Sequence, residues 1–205
     1  MKIEKPAVVE TALALLDEVG SDGLTMRALA KALNVQAPTL YWHFPSKQDL
    51  LDQMANALIA PVAGIIDADA APDEVLRSLA VELRKALLSR RDGARIYAGT
   101  FVMGENVLNV AEIALSALLR KGLDERTATD AMFNLVYFVL GFTIEEQGFS
   151  SRWGSKADAS VEPSDLTKID SSRFPALAQS LDTVLAWDFD SRFELGIRTF
   201  LRGLG

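Results

Sequence analysis

The 205-residue chain is 49% hydrophobic and carries 28 acidic against 21 basic residues, a net charge of −7. That suits one globular core, or a small domain beside a larger one. It has no cysteine and a single histidine, His43, which excludes disulfides, thiolate metal sites and Ser-His or Cys-His catalysis away from that residue.

Lys5 to Val19 is predicted as a first helix, with Val8, Val9, Ala12, Leu13, Leu16 and Val19 on one apolar face. Gly20 is expected to stop it, and Ser21-Asp22-Gly23 is turn chemistry. A second helix is predicted from about Met26 to Leu33, where Met26, Leu29, Ala30 and Leu33 recur at helical spacing. Thr25 stands where an N-cap belongs. Asn34 suits a left-handed helix end, and Val35 plugs the turn. A third helix starts near Gln36, with Pro38 in its first turn, where a missing N–H costs nothing. It ends near His43, because Pro45 disfavours helical geometry at Phe44.

The third helix would turn Gln36, Ala37, Thr39, Tyr41, Trp42 and His43 outward. Adjacent aromatics and hydroxyls make a poor core but a good surface for the DNA major groove, where a helix-turn-helix presents its second helix. Between Gly23 and Gln48 stand Arg27, Lys31 and Lys47 and no acid. The first fifty residues carry five bases and six acids, leaving 16 bases and 22 acids elsewhere. A protein that touches DNA with one small face can be acidic over the rest, at the expense of non-specific affinity.

Ser46 with Asp49 three residues on is a variant capping box for the next helix, whose stripe of Leu50, Leu51, Met54, Leu58 and Ile59 runs towards Pro61. This helix reads as a lever between two units. The predicted division is residues 1–47 (DNA-binding), 48–66 (connecting helix) and 67–205 (larger domain). In the larger domain, Asp73–Ser89, Ala94–Phe101, Asn106–Lys121 and Arg126 to about Gln147 are predicted helices. The last of these is apolar on nearly every side, which calls for burial all round and hence a partner subunit. Its most apolar run, 131–144, is 14 residues and too short to cross a bilayer. No secretory leader is apparent, so a cytoplasmic protein with no membrane partner is expected. Residues 150–172 read as a mobile loop. Phe174–Leu185 and the amphipathic Phe189–Leu204 complete an all-α architecture.

Three stretches carry a family likeness. Pro38-Thr39-Leu40-Tyr41-Trp42-His43, with Lys47 and Leu50-Leu51, resembles the recognition motif of the tetracycline-repressor (TetR) family. So do Leu88-Ser89-Arg90-Arg91-Asp92-Gly93-Ala94-Arg95-Ile96-Tyr97-Ala98-Gly99-Thr100 and Phe142-Thr143-Ile144-Glu145-Glu146-Gln147. The resemblance implies a homodimeric repressor that releases double-stranded operator DNA when a small-molecule effector binds the C-terminal domain. Its expected DNA contacts are Thr25, Arg27, Gln36, Ala37, Pro38, Thr39, Tyr41, Trp42, His43 and Lys47. Thr25, Tyr41, His43 and Lys47 are expected to hold phosphates; Arg27, Gln36, Pro38, Thr39 and Trp42 are placed to read bases.

The resemblance places the effector among Leu79, Leu83, Tyr97, Thr100, Phe138 and Glu145. Tyr97 stands where tetracycline-binding members have a metal-coordinating histidine, while Thr100 and Glu145 are retained. Leu79 and Leu83 replace polar drug contacts. Glu145 alone supplies too few oxygens for a hard cation, so no metal and no cofactor is expected, and the effector should be apolar or aromatic. The adjacent Glu145 and Glu146 do not share a helix face and have no nucleophile or histidine beside them, which argues against catalysis. The competing reading is a helical small-molecule binder or enzyme with a vestigial helix-turn-helix.

Overall fold

A computed structural model describes residues 4–100, 103–153 and 169–205. Every regular element among the described residues is a helix. The first unit comprises α1 (Lys5–Gly23), α2 (Met26–Ala32) and α3 (Ala37–Tyr41). Val8, Ala12, Leu16, Leu24, Leu29, Leu40 and Phe44 are buried at its centre. The Thr25 hydroxyl accepts from the Ala28 amide at 3.1 Å and caps α2, and Asn34 takes the expected left-handed conformation with φ 54°. Gly20 does not end α1. It kinks the helix, with φ 70° and ψ 177°, and the chain resumes helical geometry to Gly23.

α4 (Lys47–Leu58) opens on a complete capping box: Asp49 N donates to Ser46 Oγ at 3.1 Å, and Ser46 N donates to Asp49 Oδ2 at 2.9 Å. A short α5 (Val62–Ile65) follows, beyond the Pro61 towards which the predicted stripe runs. The larger domain adds α6 (Pro72–Leu88), α7 (Gly93–Ala98), α8 (Glu105–Arg120), α9 (Glu125–Trp153), α10 (Pro175–Gln179), α11 (Leu181–Leu185) and α12 (Phe189–Arg202). α6 is its central rod, packed against α5, α7, α8, α9 and α12, while α4 lies against α1, α7 and α8. One apolar cluster therefore runs from Val8 to Leu201 through both units.

Other expectations need correction. α7 ends at Ala98, short of Phe101, which lies outside the described residues. α9 continues to Trp153, so residues 150–153 are helical; most of the predicted loop that follows lies outside the described residues. At 29 residues α9 is also long and apolar enough, by length and composition, to cross a bilayer, which the 14-residue run did not suggest. The prediction of all-round burial holds only in part. Ala128, Leu135 and Val139 are buried, but Phe133 and Tyr137 are exposed on a second face. Leu195 of α12 is exposed as well. In water such a face needs a second apolar surface to cover it.

Candidate nucleic-acid interface and effector groove

α2 and α3 meet at a turn set by Asn34, with Val35 N donating to Ala30 O at 2.9 Å and Val35 packed on the core. Only Leu40 of α3 is buried. Ala37 and Thr39 are half-buried, and Pro38 and Tyr41 are left to solvent. Trp42 is 88% exposed and Tyr41 about half exposed, an expensive arrangement for aromatics in water unless a partner covers them. Gln36 is the N-cap of α3, yet its side chain makes no capping bond. Ala37, Pro38, Tyr41 and Trp42 line a shallow apolar hollow of about 510 Å³. Arg27, Gln36 and Pro38 are exposed, Ala37, Thr39 and His43 half-buried.

Thr25 and Lys47 flank this surface, the first as cap of α2 and the second as the opening residue of α4. The structure thus places all ten predicted DNA residues on or beside the α2–α3 motif. A contact that the sequence did not signal lies beside them. The Lys5 ammonium stands 5.9 Å from the Phe44 ring centroid, which brings a further cation from the start of α1 to the end of the recognition segment. Lys5 was invisible because Phe44 is 39 positions away in sequence.

The effector residues divide. Phe138 and Glu145 share a groove of about 470 Å³ with Tyr137, Gly141, Phe142, Phe189 and Arg192. Phe138 stacks on Phe193 at 5.4 Å and meets Phe142 at 5.8 Å. Leu79 and Leu83, expected in the pocket, are buried in the core and do not line this groove; they belong to the apolar side by which α6 packs. Tyr97 and Thr100 also lie outside it, on and just after α7. The Tyr97 ring is half-buried against the core, and desolvation raises its hydroxyl above the ordinary tyrosine value, so it is neutral at physiological pH. The Thr100 hydroxyl donates to Tyr97 O at 2.7 Å.

Glu145 is exposed, whereas Glu146 is half-buried. Arg84 grips it bidentately, Nε to Oε2 at 2.8 Å and Nη2 to Oε1 at 2.6 Å, and also reaches Asp190 at 2.9 Å. The guanidinium lies 4.8 Å from the Phe193 ring and 5.5 Å from Phe142, so one cation ties α6 to α9 and α12. No three metal-binding side chains of the His, Cys, Asp or Glu kinds converge among the described residues.

α4 is tied to the larger domain at two points. Gln48 Nε2 donates to Gly99 O, the C-cap of α7, at 3.2 Å. Asn56 Oδ1 accepts from Asn106 N at 3.1 Å, in the first turn of α8, and Asn106 Nδ2 donates to Asn56 O at 2.9 Å. Gly104 makes this approach possible, since a Cβ there would collide with the Asn56 side chain.

Comparison with known proteins agrees with this geometry. Residues 8–54 match the bacterial regulatory proteins of the tetR family, and residues 70–205 the tetracyclin repressor-like C-terminal domain. The chain is 37% identical to the class C tetracycline repressor protein of Escherichia coli over 210 residues, covering 99% of this chain and 91% of that protein. A possible TetR family transcriptional regulator from Streptomyces coelicolor A3(2) superposes with a TM-score of 0.87 at 38% identity, with 98% of each chain covered. BioQ, crystallised with its natural double-stranded DNA operator, superposes with a TM-score of 0.66 at 35% identity, covering 75% of this chain and 93% of that one. The chain belongs to the TetR family, the dimeric, ligand-responsive, DNA-binding transcriptional repressors.

Proposed function

We propose that this protein is a cytoplasmic repressor that reads its palindromic operator with α3 and the start of α4, and leaves it when an apolar or aromatic small molecule enters the larger domain. The unshielded recognition surface carries this reading: exposed Trp42 and Tyr41 on a helix with one buried residue, flanked by Arg27 and Lys47. Arg27 suits a guanine edge, and the apolar hollow of Ala37 and Pro38 suits a thymine methyl. The dimer is assigned to α9 and α12, whose exposed Phe133, Tyr137 and Leu195 need a cover; obligate interfaces resemble a core cut in half.

The effector is placed at the α7–α9 junction, where its entry has to bring Tyr97 and Thr100 on the α7 side together with the Phe138–Glu145 groove of α9, since the two pairs share no cavity among the described residues and Leu79 and Leu83 stay in the core. Apolar walls with few polar groups are the usual make-up of small-molecule sites. A ligand there displaces α7, and the Gln48–Gly99 bond passes the movement to α4, which Asn56–Asn106 holds to α8. Two half-sites roughly 34–36 Å apart demand a matched spacing of recognition helices, so a small rotation of α4 suffices for release. Coupling is reciprocal: DNA weakens effector binding by the same factor, typically about 5–150-fold.

The test is fluorescence anisotropy of an operator complex titrated with apolar and aromatic ligands, with and without chelator. Release independent of the chelator, and an inducing concentration raised by about tenfold in Tyr97→Ala and Phe138→Ala, is expected for the loss of a lining aromatic. Release that requires magnesium, or variants with unchanged response, would overturn this site and effector class.

A further inference from the structure

Besides α4, a second joint connects the DNA-binding unit to the larger domain, and it has a different construction. The Gly20 kink takes Ser21 out of the helical hydrogen-bond path, and its N–H donates instead to Asp92 Oδ2 at 2.8 Å. Arg91 Nη1 donates to Glu18 O at 3.1 Å, in the turn before the kink. The Arg91 guanidinium sits 3.2 Å from where a Gly20 Cβ would stand, so this glycine supplies both the left-handed backbone and the space. The Asp17 carboxylate accepts from Arg91 N at 2.9 Å and from Arg90 Nη1 at 2.8 Å; Arg90 Nη2 also reaches Glu10 at 3.2 Å. Three consecutive residues between α6 and α7 thus seat the kinked end of α1.

The other side of this connection is held by Gln147 of α9. Its Oε1 accepts from Ala94 N at 3.1 Å, in the first turn of α7. Its Nε2 donates to Leu87 O at 3.1 Å and Arg90 O at 2.9 Å, at the end of α6. One amide therefore satisfies orphan groups of two helix termini. Asp92, the N-cap of α7, makes no capping bond there; its carboxylate is committed to Ser21. It holds φ 56°, a left-handed conformation that a non-glycine residue keeps where its surroundings over-determine it.

We propose that this joint is a fulcrum for operator binding, with Gln147 as a positioning residue. It fixes the end of α1 to the dimer helix α9, so that the pull on α4 rotates each DNA-binding unit about a set point. The inference rests on the dimeric DNA-binding reading above and assigns a role to a residue that touches neither DNA nor effector.

The experiment uses the full-length dimer and needs no effector. Because the chain has no cysteine, Ala14→Cys, exposed on α1, gives one spin label per protomer and one distance across the dimer. In Gln147→Leu, and in the surface variant Asp17→Asn, the distance distribution without DNA should widen at least about twofold. Affinity of the unlabelled variants for a fragment carrying the full inverted repeat should fall about 5–20-fold, since bivalent engagement depends on geometry. Affinity for a single half-site should be unchanged, which a merely destabilised protein would not show. The double variant should lose no more than the worse single one. Unchanged widths in folded dimers, equal loss on half-site and full site, or additive losses would each overturn the fulcrum. A wild-type dimer with a narrow distribution but no binding to the repeat would instead count against the operator reading.

Discussion

Replacing Arg84 by methionine should destabilise the dimer by about 2–4 kcal/mol. The side chains of Arg84 and Glu146 are 11% and 13% exposed, so the pair is largely desolvated. Removing one partner of a buried pair costs about 3–5 kcal/mol, because the remaining charge is left uncompensated. Glu146 keeps some contact with water, which lowers that figure to about 2–3 kcal/mol. Loss of the guanidinium from the Phe193 and Phe142 faces adds about 0.5–1 kcal/mol. Asp190 should contribute little, since its side chain is 73% exposed and solvent screens its pairing with Arg84. Methionine keeps most of the volume, so a cavity term is small. The assay is urea unfolding followed by circular dichroism at one fixed protomer concentration, because dimer stability depends on it. Arg84→Met with Glu146→Leu should recover at least half of the loss, since apolar replacement of both partners leaves no stranded charge. A single-variant loss under about 1 kcal/mol, or a double-variant loss equal to the sum of the singles, would refute the reasoning.

Arg27→Ala should weaken operator binding by about 1–3 kcal/mol and relax preference at one base pair, whereas Lys47→Ala should weaken all sequences alike and lower the salt slope by about one; competition binding against single-base operator variants at several salt concentrations reads both. Ser46→Ala should cost about 1 kcal/mol in thermal unfolding, because the capping box loses its hydroxyl. The hydrogen bond from Arg77 holds the Glu194 carboxyl below its ordinary value. A depressed carboxyl stabilises the fold above its unfolded pKa, and that contribution is lost as pH falls through its folded pKa. Glu194→Gln should therefore shrink the stability difference between neutral pH and pH below the usual carboxylate range, as measured by urea midpoints at both.

The parts legible in the sequence were those whose chemistry is local. Thr25, Asn34, Pro38 and the Ser46–Asp49 box each act within four residues, so spacing alone located the helix-turn-helix and the start of α4. The acid-free stretch around Arg27 and Lys47 then gave the surface its function. The larger domain was less legible because its decisive contacts are distant. Arg84 and Glu146 are 62 positions apart, and nothing nearby marks Glu146 as paired rather than solvated. Gly20 reads as a helix stop, since the loop that fills its kink arrives 71 residues later. Leu79 and Leu83 have the right position for a pocket and the right character for a core, and periodicity cannot separate the two. α9 runs past Ser150, where the predicted loop begins, an instance of propensity yielding to context.

The decisive measurement is the affinity of the full-length dimer, at physiological salt, for DNA from upstream of its own gene, against the same fragment with the inverted repeat scrambled. Binding at least about a thousandfold tighter to the intact repeat is the scale of specific recognition, and it should collapse towards the scrambled value in Arg27→Ala combined with Trp42→Ala. Equal affinity for the two fragments, falling together as salt rises, would contradict the account, because it would leave α3 without a sequence to read.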